Sequence, residues 1–179
     1  MSLESLVQHI KSDSDQRAIP PVEDWNPDYC GEMDLVIKAD GSWYHEGTSF
    51  KRLSLVKLLA SVLKKESTEY YLVTPVEKIK IVVEKLPFVI TQWHYEESEG
   101  VRYIVCTTNL EEQFVISDKQ PMTIDENGEL SVIVRRNLAA TIHRNVYYQW
   151  IEEGLEETYN GQKALCLSSG SYTFPIGFL

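Results

Sequence analysis

Two arginines stand out by position among the residues that could do chemistry. Arg52 and Arg135 each precede a leucine by three residues, in Arg52-x-x-Leu55 and Arg135-x-x-Leu138. Each opens a stretch with helical spacing. The stripe Arg52, Leu55, Val56, Leu59 sets Arg52 on the buried side of a first helical turn. Arg135 stands in the same relation to Leu138, Ala139 and Ile142. A cation there meets the positive end of the helix dipole, at a cost of about 0.3–1 kcal/mol. A cation near a core is also costly unless it is paired. Arg52 is therefore expected to be buried, and each arginine to face a carboxylate or an anionic ligand. Asp34, Asp40 and Glu77 are the carboxylates available to Arg52. An internal salt bridge is the structural explanation. The functional one is an anion-recognising cleft between two halves of the chain, using the planar fork of the guanidinium. The ligand-binding candidates are Arg52, Arg135, Arg144, Asp34, Trp43 and Glu77.

Other groups point less sharply. His9, His45, His94 and His143 show no HxxxH spacing and no cysteine nearby, so no metal site is expected, and no cofactor. GxSxG, P-loop and GxGxxG fingerprints are missing from the sequence. Cys106 lies among Ile104, Val105 and Thr107 and reads as a buried, inert thiol. Trp43 and Tyr44 follow a turn and fit either cross-strand packing or a ligand-stacking platform. Two acidic groups, Glu96, Glu97, Glu99 and Glu152, Glu153, Glu156, Glu157, read as solvated loops or helix ends. The second group opposes the dipole of the helix it follows.

Composition narrows the partners. In 179 residues, 17 Lys and Arg stand against 27 Asp and Glu, a formal net charge of −10. Such a chain is poorly suited to hold a phosphate backbone or an anionic membrane surface. The apolar fraction of 43% and charged fraction of 25% are those of a globular protein rather than of disorder or coiled coil. Cys30, Cys106 and Cys166 are odd in number and far apart, which suits reduced thiols. The first residues lack a signal-peptide core, and no apolar run approaches the roughly 18 residues of a membrane helix. The expected address is the cytoplasm, with a small anionic ligand or a protein as partner rather than nucleic acid or membrane.

The elements that must position these residues follow from periodicity. Leu3, Leu6, Val7 and Ile10 form one stripe of a short helix that packs on its own domain, with partner docking as the alternative. An extended arm runs over 12–27, with three prolines. Asp40-Gly41 marks a hairpin, with Met33, Leu35, Ile37 and Ala39 on one face of its first strand. A helix is predicted over 50–66, and strands over 70–74, 79–83, 88–93, 101–107 and 113–117. Asn127-Gly128 marks a second hairpin between 122–125 and 130–134. A helix over 135–153 puts Leu138, Ile142, Val146 and Trp150 in register, and short strands at 164–167 and 172–176 close the chain.

Both halves thus read as hairpin, helix and two strands, with Asp40-Gly41 matching Asn127-Gly128. The expected fold class is α+β: two related hairpin–helix–strand–strand units with antiparallel sheets, plus an N-terminal helical arm. The corresponding division is 1–27 for the arm, 28–117 for a first unit with extra strands, and 118–179 for a second. Residues 33–83 are expected to superpose on 122–176.

Three stretches carry a resemblance. They are Asp40-Gly41-x-Trp43-x-x-x-Gly47-x-x-x-x-Arg52, Thr74-Pro75-Val76-Glu77-Lys78 with Pro87-Phe88, and Val134-Arg135-x-x-Leu138-Ala139-Ala140-x-Ile142-x-Arg144-x-Val146-Tyr147-Tyr148. Together with the glycine-bearing end around Gly161 to Gly177, the sequence from Trp25 onward resembles the bacterial family catalogued as domain of unknown function 1285. The resemblance implies a cytosolic protein of two structural repeats with a mixed α+β fold, for which a role in ligand sensing or signal transduction is suggested by analogy. It brings no catalytic residues. The resulting expectation is a non-catalytic module that binds a small anion or a partner. The alternatives are an enzyme with an unrecognised site, using Glu77 or Asp34 as base, and a pure interaction domain.

Overall fold

The computed structural model describes residues 3–13 and 19–179. It divides into two compact units, Met1–Lys85 and Leu86–Leu179. The break falls between Lys85 and Leu86 rather than at the expected 117/118.

The N-terminal unit opens with helix α1 (Leu3–Asp13), which buries Leu6, Val7 and Ile10 and packs against helix α2 (Leu53–Ser61). The stripe read from the sequence therefore docks within its own unit. Residues 14–18 of the expected arm lie outside the described residues, and a 3-10 turn follows at Val22–Asp24. Six strands then form one sheet: β1 (Tyr29–Ile37), β2 (Trp43–His45), β3 (Thr48–Ser49), β4 (Leu63–Glu66), β5 (Glu69–Val73) and β6 (Lys78–Val83). Their order is β3-β2-β1-β6-β5-β4. Asp40-Gly41 turns the chain between β1 and β2, placing Leu35 opposite His45 and Ile37 opposite Trp43. Strands β1 and β6 run parallel at the centre of the sheet. Leu35, Ile37, Leu63, Leu72, Ile79 and Ile81 are buried, with the alternation a one-sided sheet requires. Helix α2 is shorter than predicted. It ends at Ser61, and Lys64 and Lys65, which fall inside the predicted helix, lie in β4. Pairing of Leu63 with Leu72 and Lys65 with Tyr70 prevails there over helix propensity.

The C-terminal unit holds a second six-stranded sheet: β7 (Phe88–Ser98), β8 (Val101–Thr108), β9 (Gln113–Val115), β10 (Met122–Ile124), β11 (Leu130–Arg135) and β12 (Leu138–Ile142). Helix α3 (Arg144–Glu153) follows, and then a three-stranded antiparallel sheet of β13 (Leu155–Tyr159), β14 (Gln162–Ser169) and β15 (Tyr172–Phe178). The helix predicted from Arg135 is half strand. Leu138 and Ala140 are buried at a period of two, and β12 pairs with β11 on one side and β7 on the other. The backbone turns helical only after His143, whose ring Nδ1 accepts the Asn145 N–H at 3.2 Å.

The two six-stranded sheets share one connectivity. In each, a three-stranded meander is followed by a second meander, and the last strand lies parallel beside the first. The second sheet's order, β10-β11-β12-β7-β8-β9, is that of the first read in reverse. The repeat is thus β1–β6 against β7–β12, which corrects the expected match of 33–83 with 122–176. The counterpart of Asp40-Gly41 is Glu99-Gly100 between β7 and β8, whereas Asn127-Gly128 sits at the β10–β11 turn, equivalent to β4–β5. The two six-stranded sheets are mixed rather than antiparallel. The protein is dominated by strands, with few helices, instead of being built from hairpin–helix units.

Candidate functional site

Arg52 is exposed, which corrects the expectation of burial. It is the N-cap of α2, with extended backbone (φ −104°, ψ 108°), and its carbonyl accepts the N–H groups of Leu55 and Val56. The helical register that would have turned its side chain inward begins only at Leu53. Among the described residues no carboxylate pairs with its guanidinium. Asp34 is exposed on β1, and its carbonyl accepts the Glu46 N–H. Trp43 is 3% exposed, so its ring is part of the core. Glu77 is buried and closes a tight loop: its N–H donates to Thr74 Oγ1 at 3.0 Å, and its carbonyl accepts the Thr74 N–H.

Arg135 does face a carboxylate. Its Nε lies 3.3 Å from Glu112 Oε1, and its guanidinium stands 5.3 Å from the centre of the Phe88 ring. Burial pulls the Arg135 pKa down, Glu112 opposes that, and Arg136 adds to it. Glu112 was absent from the sequence reading. It sits in a turn held by Thr108, whose Oγ1 accepts the N–H groups of Leu110 and Glu112, and no local pattern links it to position 135. Arg144 is exposed in the first turn of α3.

The lysines of the N-terminal sheet are paired internally. Register places Lys64, Tyr71, Lys80 and Glu32 side by side across β4, β5, β6 and β1. Lys80 reaches Glu69 at 3.1 Å, and Lys78 pairs with Glu66 while standing 4.4 Å over Tyr71. Lys64, 8% exposed, donates to the Trp25 carbonyl at 3.1 Å and lies 3.5 Å from Glu66. The hydrogen bond from Lys78 holds the Glu66 carboxyl below its ordinary range; desolvation opposes it, and the charges of Lys78 and Lys64 add smaller help.

The surface of the C-terminal unit differs in kind. Helix α3 turns Val146 and Trp150 into the core, where Trp150 meets Trp93 at 6.2 Å and Phe174 at 6.3 Å. Trp93 Nε1 donates to Gln149 Oε1 at 2.7 Å. Tyr95 meets the edge of Trp93 at 4.9 Å and carries Arg102 at 3.8 Å over its ring. These contacts fix the helix, and its opposite side presents Tyr148 and Ile151, 57% and 41% exposed. Leu155, 68% exposed, follows at the start of β13. Glu152, Glu153, Glu156 and Glu157 are all exposed around them. Gly154 joins helix to strand; a Cβ there would lie 2.6 Å from Leu165 Cγ, so the chain can cross Leu165 closely only with glycine. By sequence these glutamates read as solvated loops or helix ends. The missed signal is that Tyr148 and Ile151 fall opposite Val146 and Trp150 at helical spacing.

All three cysteines are free; Cys30 is exposed, and Cys106 and Cys166 are buried. Burial pushes the Cys106 thiol up to about 12. His45 lies beside Phe50 and His94 is 3.7 Å from Glu96; the side chain of His9 lies outside the described residues. Among the described residues no three His, Cys, Asp or Glu side chains are grouped to hold a metal ion, and no helix is long and apolar enough to cross a membrane.

Residues 20–86 match the N-terminal domain, and residues 87–176 the C-terminal domain, of the family described as domain (or protein) of unknown function DUF1285. The boundary between the matches agrees with the boundary between the compact units to one residue. The chain is similar to the crystal structure of a DUF1285 family protein from Silicibacter pomeroyi DSS-3, at 31% identity and a TM-score of 0.81, over 97% of this chain and 95% of that one. It is also similar to a DUF1285 family protein from Shewanella baltica OS155, at 28% identity and a TM-score of 0.57, over 68% of this chain and 92% of that one. No curated protein matches.

Proposed function

The chain belongs to the DUF1285 family, and we propose that it is a non-catalytic binding module that engages a protein partner through its C-terminal unit. One observation carries this reading. Tyr148, Ile151 and Leu155 stand exposed one after another from α3 into β13, bordered by four exposed carboxylates. An apolar strip with a single-sign rim is the makeup of a docking surface. Its charge suits a basic partner, by steering and by register. The arginines favour a small anion less. Arg135 is already balanced by Glu112, and Arg52 and Arg144 are exposed side chains at helix starts.

The test is a photo-cross-linking phenylalanine analogue at position 148, introduced in the native host. The expected result is one dominant cross-linked protein, lost when Ile151→Asp is added. A dispersed or empty cross-link pattern counts against the reading. A metabolite screen by thermal shift tests the anion alternative, since a specific ligand raises the midpoint by mass action. A specific anionic binder found there, together with an empty cross-link pattern, would replace partner docking with ligand binding.

A further inference from the structure

We infer that β13 is an acceptor edge, on which an extended, basic segment of another protein adds as a further strand. The inference rests on the partner-docking reading above and specifies its mode.

The edges of the three sheets are treated unequally. Strand β3 has two residues, and β9 and β10 have three each. Strand β15, the other edge of its sheet, buries Phe174, Pro175 and Ile176 and lies against β10, whose Met122 N–H donates to the Tyr172 hydroxyl. Strand β4 is half buried and flanked by the 3-10 turn at Val22–Asp24, with Lys64 reaching the Trp25 carbonyl. These are the usual ways of blunting an edge: shortness and cover. Strand β13 has neither. It runs for five residues, Leu155–Tyr159, of which the first four are exposed, and among the described residues it pairs only with β14.

Register says which backbone groups are open. The β13–β14 hairpin closes through Asn160 and Gly161, both with positive φ (48° and 82°), between Tyr159 and Gln162. A two-residue turn of this kind makes its flanking pair a hydrogen-bonded one, and bonded and non-bonded pairs alternate from there. Tyr159, Glu157 and Leu155 therefore bond inward to β14. Glu156 and Thr158, opposite Leu165 and Lys163, direct their N–H and C=O groups outward. Two open donors and two open acceptors, spaced at two residues, are the template for strand addition.

The side chains select the occupant. Antiparallel self-pairing of β13 along its whole length would place Glu157 opposite Glu157 of the second copy, in the closer, non-bonded type of pair, and like charges directly opposite destabilise. The net charge of −10 opposes a second copy as well. A segment carrying Lys or Arg opposite Glu157 meets the opposite condition, with β-branched residues suited to the positions facing Glu156 and Thr158.

The experiment uses the full chain and a short peptide alternating Lys and Thr, with an alternating Glu and Thr peptide as control. Amide hydrogen exchange is read by NMR at Glu156 and Thr158. The expected result is exchange slowed about tenfold or more at those two amides by the lysine peptide alone, because a hydrogen-bonded amide exchanges only on opening. Thr158→Pro removes one outward donor without touching a bond to β14 and is expected to weaken the peptide about tenfold. Glu157→Lys, a surface change independent of that backbone edit, is expected to transfer the protection to the glutamate peptide. Unchanged exchange at both amides with millimolar lysine peptide overturns the inference. If the peptide binds without protecting them, and Tyr148→Ala removes the binding, the partner docks on α3. The docking reading then stands while strand addition fails.

Discussion

Arg135 Nε stands 3.3 Å from Glu112 Oε1, with the two side chains 12% and 26% exposed. The pair joins the end of β11 to the turn after β8, within one unit. Loss of one partner from a buried pair costs about 3–5 kcal/mol, because the other charge is left stranded. The residual exposure of Glu112 lets water screen part of this, so Glu112→Gln or Arg135→Met should cost about 2–3 kcal/mol in urea unfolding. The double variant should recover part of that loss. Additive losses would show that the two side chains do not act as a pair.

Glu66 gives stability a definite acid dependence. Its carboxyl is held below the ordinary 4.5, first by the hydrogen bond from Lys78. A group with a lowered folded pKa stabilises above its unfolded pKa and loses that contribution as pH falls through the folded value. The Glu66 contribution should therefore be complete above about pH 5 and vanish on further acidification. Lys78→Met should return the carboxyl titration, followed by carbon NMR, toward 4.5 and flatten that part of the stability curve. A carboxyl unmoved by Lys78→Met would assign the low value to another cause.

The three thiols should separate by reactivity. Cys30 is exposed, while Cys106 is buried with its thiol pushed up to about 12. Only a thiolate attacks an alkylating reagent. Cys30 should label at once in the native protein, and Cys106 only at the rate of unfolding. A raised folded pKa also means that stability is lost as pH rises from the unfolded value toward the folded one. Cys106→Ala should therefore reduce the alkaline loss, read as the change in urea midpoint between neutral and alkaline pH. Labelling of Cys106 as fast as Cys30 would refute its burial.

How much of this was legible in sequence depends on the range of the interaction. Asp40-Gly41 and Asn127-Gly128 are local, and both turns form where read. The α1 stripe is local too, and its Leu6, Val7 and Ile10 are buried as their spacing requires. The stretch from Leu138 to Trp150 is ambiguous in sequence because a strand at period two and a helix at period 3.6 share apolar positions over a few residues. The phase of the repeat was lost for a different reason. It is defined by parallel pairing of β1 with β6 and β7 with β12, between segments far apart in the chain, and hairpin motifs carry no trace of that pairing. Arg52 and Arg135 show the same contrast. Their motifs are alike, yet one is an N-cap in water and the other ends a strand against Glu112, a residue chosen by the fold.

Gly170 offers the sharpest separation of two costs at one position. It has φ of +58°, and a Cβ there would lie 2.6 Å from Tyr103 Cε1. Its N–H donates to the Arg102 carbonyl at 2.9 Å, so the β14–β15 turn is tied to β8 at the point of closest approach. Gly170→Ala meets a left-handed backbone, worth about 1–2 kcal/mol, and an overpacked contact worth about 1–3 kcal/mol more. Gly128→Ala supplies the comparison, because its φ is +81° and nothing lies within 4 Å of its would-be Cβ. It should show the backbone cost alone. In a Tyr103→Ala background the excess of Gly170→Ala over Gly128→Ala should disappear, since the ring that collides is gone. If the excess persists there, the cost lies in the turn itself and the approach of Tyr103 is incidental.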